Sequence, residues 1–72
     1  MITTRTTAGQ AMQISKAKQL ARRYGVVHCV VEMDSADGRE MRVVRESYIL
    51  QEEFAAFDGV IVFAVHPDGT VE

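Results

Sequence analysis

Tryptophan is absent from this chain, and proline and cysteine occur once each. The lone Cys29 cannot form an internal disulfide, which excludes the stapled scaffold of many small secreted domains and suits a reducing, cytoplasmic compartment. No Cys/His cluster has the spacing of a zinc site, so no metal or other cofactor is expected. The longest apolar run, Val60–Val65, falls far short of the roughly 20 residues a membrane-spanning helix needs. Residues 1–7 contain no apolar segment of the kind a signal peptide requires. Aromatic residues make up 7% of the chain, too few for the stacking platforms of a single-strand nucleic-acid binder. No glycine-rich phosphate loop, nucleophile elbow or zinc-protease helix occurs, and no enzymatic activity is expected.

What remains is material for one small folded domain covering residues 1–72. Such a chain buries only about 60% of its unfolded surface, which leaves its stability marginal. With no disulfide or metal to compensate, association is expected, with a partner or as a homodimer. The 47% hydrophobic content argues against disorder.

Ile14, Ala17, Leu20, Ala21 and Tyr24 follow helical spacing and form one apolar stripe. Ser15 is one candidate N-cap, and Thr7 with Gln10 offers a capping box further upstream, so the helix starts between residues 8 and 16. Gly25 ends it. Residues 26–34 are rich in β-branched side chains and read as a strand, followed by a second over residues 39–47. A three-residue turn, Ala36-Asp37-Gly38 with Gly38 at positive φ, sorts the side chains by face. In that register Met33 pairs with Met41 and Val31 with Val43 on one face. Glu32 then pairs with Arg42, Val30 with Val44 and His28 with Glu46 on the other.

Leu50, Phe54 and Phe57 predict a short second helix within residues 49–58, stopped by Gly59. A third strand follows over residues 60–66. After the turn Pro67-Asp68-Gly69, residues 70–72 are expected to fold back as a short edge. The class is α+β, in the order α-β-β-α-β, with two layers: an antiparallel sheet of three to four strands and helices on one face. A right-handed crossover would set the third strand beside the first. If residues 2–7 form a strand, the order becomes ferredoxin-like, β-α-β-β-α-β; otherwise they are an edge or a loosely held end.

Charge is the strongest functional signal. Residues 1–25 carry Arg5, Lys16, Lys18, Arg22 and Arg23 and no acid. Residues 51–72 carry Glu52, Glu53, Asp58, Asp68 and Glu72 and no base. Lys16, Lys18, Arg22 and Arg23 lie off the apolar stripe and are the candidate partner-binding residues. The plainer reading is a solvated face, with Arg22 and Arg23 placed by the helix dipole. A second candidate surface is the sheet face without helices, where Val30, Val44 and Tyr48 would form a dimer or partner interface.

Other candidates have ordinary explanations. Cys29, beside Val27, Val31 and Met33 on the expected core face, reads as an inert buried thiol. His28 beside Glu46 is a cross-strand pair that could also tune an acid or base. Asp34, Asp37 and Gly38 fit a hairpin turn better than a calcium loop. Met12, Met33 and Met41 read as packing.

As a whole, the chain resembles small phage-encoded inhibitors of bacterial defence, anti-CRISPR proteins among them. The likeness lies in the order of parts: a helix containing Ser15-Lys16-Ala17-Lys18-Gln19-Leu20-Ala21, a hairpin, a short helix and a terminal strand. The resemblance implies surface occlusion of a larger protein or ribonucleoprotein in an infected bacterial cell, and assigns no functional residue. Direct nucleic-acid binding through the basic helix is the alternative expectation. A ligand-binding site or enzyme built on His28, Glu46 and Cys29 is a third, and no membrane association is expected.

Overall fold

A computed structural model describes residues 8–72. Arg5, the Thr7 cap and the strand proposed for residues 2–7 lie outside the described residues. Helix α1 runs Ala8–Tyr24, starting at the early end of the expected range, ahead of the apolar stripe that begins at Ile14. Ala17 and Ala21 are fully buried and Ile14 and Leu20 half-buried, whereas Tyr24, the last member of the stripe, is 49% exposed. The helix ends at Gly25, whose amide donates to the Ala21 carbonyl at 2.8 Å.

Three strands follow: β1 over His28–Ser35, β2 over Gly38–Arg45 and β3 over Val60–Val65. They form an antiparallel sheet in the order β2-β1-β3, so the third strand does lie beside the first. Burial follows from that place: Cys29, Val30, Val31 and Met33 of central β1 are all buried. The chain end folds back as expected. Val71 bridges Val65, and Ala64 and Glu72 exchange backbone hydrogen bonds of 3.1 and 2.8 Å.

The expectation that both helices share one face is corrected. Helix α1 packs with Val30, Val43, Met41, Phe63 and Val65. Helix α2, Glu52–Ala56, places Phe54 on Cys29, Val31 and Met33. Successive residues of a strand point to opposite sides, so Val30 and Val31 assign the helices to opposite faces. The protein is therefore an α+β sandwich with the sheet in the middle.

The hairpin register is corrected as well. Ser35 pairs with Gly38, leaving a two-residue connection of Ala36 and Asp37. Met33 consequently faces Glu40, Glu32 faces Met41, Val31 faces Arg42, Val30 faces Val43 and His28 faces Arg45. The expected register was chosen to keep one face apolar and the other polar. With both faces covered, that criterion loses its force, because apolar residues of either parity find a helix to pack on. Gly38 does take positive φ, at +112°. Ala36 and Asp37 keep negative φ, unlike the mirror-image turns that usually close two-residue hairpins, and Gly38 absorbs the mismatch. The Ser35 hydroxyl donates to the Gly38 carbonyl at 2.8 Å across the turn.

Between β2 and β3 the chain forms a 3-10 helix, Glu46–Leu50, and then α2. Of the three apolar residues expected to anchor this segment, only Phe54 is buried; Leu50 is 89% and Phe57 45% exposed. The stop also differs from expectation. Asp58, at φ +54°, takes the left-handed position. Gly59 N–H donates to Phe54 O at 2.8 Å and Asp58 N–H to Ala55 O at 3.0 Å, the two bonds of a Schellman ending. Gly59 is needed for another reason: a Cβ there would stand 2.4 Å from the Phe54 ring.

Candidate functional site: the basic outer face of the first helix

A helix that buries Ala17 and Ala21 turns residues about half a turn away towards solvent. On α1 these fall into two rows with i, i+4, i+7, i+11 spacing: Met12, Lys16, Gln19 and Arg23, and beside them Ala11, Ser15, Lys18 and Arg22. All eight are exposed. The four candidate cations therefore share one surface, along a helix roughly 25 Å long. None of them has a carboxylate within salt-bridge distance among the described residues, whereas Arg39 and Arg42 are both ion-paired. Lys18, Gln19, Arg22 and Arg23 border a shallow hollow of about 260 Å³.

The tertiary structure adds a cation that the sequence reading missed. Arg45, at the end of β2, lies 4.8 Å from the Tyr24 ring centroid, and Arg23 lies 5.6 Å from it. Tyr24 thereby joins the ends of α1 and β2 through cation–π contacts. The ring also stacks on His28 at 6.3 Å. By spacing, Tyr24 counts only as the last member of the apolar stripe, which gives no hint of this cluster. Arg45 gave no sign, because its place beside Tyr24 depends on the hairpin register.

The second candidate surface is not assembled. Val30 is fully buried beneath α1, while Val44 and Tyr48 are half-buried on the opposite face, against the cluster around Phe54. The Tyr48 hydroxyl is itself buried, with no well-aligned hydrogen-bond partner among the described residues. Burial raises its pKa above the ordinary phenol value, and nearby Glu53 adds to the effect.

His28 and Glu46 are not cross-strand partners. His28 is buried, and its Nδ1 donates to the Val26 carbonyl at 3.0 Å, which fixes the ring by a local backbone bond. Cys29 lies in the core as expected. Burial, reinforced by the negative charge of Glu46, pushes its thiol pKa upward, the opposite of what a thiolate nucleophile needs. Asp34 is occupied by Arg39 at 3.1 Å, and the Asp37 amide donates a long bond of 3.4 Å to Ser35 Oγ.

No family model, curated protein or solved structure matches the chain. Its function must be read from its own surface. That surface is electrically divided, because the two helices lie on opposite sides of the sheet. The α1 side presents Lys16, Lys18, Arg22 and Arg23, and the α2 side presents Glu46, Glu52 and Glu53 together with Arg42, which is ion-paired to Glu40.

Proposed function

We propose that this protein is a small interaction domain that inhibits a larger protein or nucleoprotein complex by covering part of its surface, in the manner of the phage inhibitors it resembles. The reading is carried by the basic face of α1, where Lys16, Lys18, Arg22 and Arg23 are exposed without an acidic partner among the described residues. Unpaired cations on a rigid helix attract an acidic surface and speed encounter with it. Formation of the helix does not require them, since its buried side is carried by Ala17 and Ala21.

A nucleic-acid partner is the second reading, favoured by the half-exposed Tyr24 ring between Arg23 and Arg45. Parallel affinity capture from the host cytoplasm, with the wild type and a Lys18→Glu/Arg22→Glu variant as baits, tests both. The proposed mode requires a partner that the wild type retains, that the variant loses, and that elutes as salt rises. Displacement of that partner by a short duplex or RNA would favour nucleic-acid recognition. If both baits retain the same partners equally, α1 is a solvated face and the reading fails.

A further inference from the structure

The side of the sheet opposite α1 is only partly covered. The 3-10 helix and α2 leave a groove of about 500 Å³, with Cys29, Ile61 and Ala64 on the sheet and Ile49 and Leu50 of the 3-10 helix beside them. Leu50 is 89% exposed and Ile61 48%. Glu46 borders the groove, and Glu52 follows Leu50 by two residues. It is thus an apolar slot with the carboxylate of Glu46 at its rim.

The outer side of α1 carries the complementary pattern. Met12 is 71% exposed and lies in one row with Lys16 and Arg23. A methionine is unbranched and adapts to an irregular slot. Cations follow it one and three turns along the helix. A single apolar knob with basic neighbours therefore lies on one side of the sheet, and an apolar slot with acidic neighbours on the other.

We infer that a second copy of this chain occupies the groove, with Met12 of one copy seated between Leu50 and Ile61 of the next and Lys16 and Arg23 facing Glu46 and Glu52. Charge complementarity selects this occupant. The groove rejects an acidic segment at its rim, and the chain itself offers the matching basic knob. Because knob and slot lie on opposite sides of one sheet, two copies cannot satisfy each other at once. The contact is head-to-tail and continues from copy to copy, instead of closing as the twofold homodimer expected from Val30, Val44 and Tyr48. The inference shares Lys16 and Arg23 with the target reading above, but Met12, Leu50 and the groove belong to it alone, so the Met12 and Leu50 variants test it separately from Lys18→Glu/Arg22→Glu.

Sedimentation equilibrium tests it. At low ionic strength the weight-average mass should climb past that of a dimer between about 10 µM and 1 mM, then fall back towards the monomer in about 0.5 M salt. Lys16→Glu/Arg23→Glu and Glu46→Lys/Glu52→Lys should each weaken association roughly tenfold, and an equimolar mixture of the two should restore it. Met12→Glu and Leu50→Glu alter two exposed residues and should also weaken it while leaving the circular dichroism spectrum unchanged. A constant monomer mass at low salt, a plateau at dimer, or association that ignores salt and all four variants would overturn the inference. The salt-independent result would point instead to pairing along the β3 edge.

Discussion

Arg39 of β2 donates a 2.8 Å hydrogen bond to the backbone carbonyl of Asp58, reaching the far end of α2 from the hairpin. The same guanidinium meets the carboxylates of Asp34 at 3.1 Å and Asp58 at 3.5 Å. Next to this, the Asp34 amide donates to the Phe57 carbonyl at 2.8 Å. Among the described residues Asp58 is the non-glycine residue with positive φ, so Arg39 holds a backbone conformation that most side chains disfavour.

Replacing Arg39 with methionine keeps much of the side-chain volume and removes these bonds. The group is 37% exposed, so solvent screening reduces the value of its ion pairs, and the loss should be about 1 kcal/mol. A lower urea midpoint with an unchanged slope is the expected result.

Gly59→Ala should cost more, about 2 kcal/mol or above. The added methyl would meet three atoms of the Phe54 ring at 2.4 to 2.6 Å. That ring is buried on Cys29, Val31 and Met33, so it has little room to move aside. Gly25→Ala, where a Cβ meets nothing within 4 Å, isolates the cost of positive φ alone. Thermal unfolding of the two variants should place Gly59→Ala lower.

The chain end should respond to pH through His66. Its Nε2 pairs with the Glu72 carboxylate, and this hydrogen bond is the main cause that raises its pKa above the ordinary 6.5. A pKa raised by folding means that the protonated imidazole stabilises the folded-back end. That contribution is complete below about 6.5 while Glu72 stays ionised, and it is lost as pH rises through the higher folded-state value. Hydrogen exchange at the Glu72 amide, corrected for intrinsic rate, should show greater protection at pH 6 than at pH 8.5. His66→Gln should remove the difference.

Much of the fold could be read from local pattern. The stripe from Ile14 to Ala21, the Gly25 stop, the β-branched runs and the turn Pro67-Asp68-Gly69 each act within a few residues, and each appears where expected. The basic face was legible for the same reason, since helical spacing alone sets Lys16, Lys18, Arg22 and Arg23 off the apolar stripe. The Met33–Met41 pairing failed because register is a non-local choice, made by which faces the helices cover. Val30 and Val44 were placed on one open face for that reason, and the structure buries Val30 beneath α1.

The sequence by itself determined the elements, the central place of β1 and the split of charge between the two ends of the chain. Only the tertiary structure decided what that split means. By sending α1 and α2 to opposite sides of the sheet, it turned a charge gradient along the chain into a basic side and an acidic side. It also brought Arg45 to Tyr24 and left Leu50 uncovered beside Ile61. The physical reason is that β1 is apolar on both faces, from Cys29 and Val31 on one and Val30 on the other. One helix can cover only one face, so burying the strand requires a helix on each.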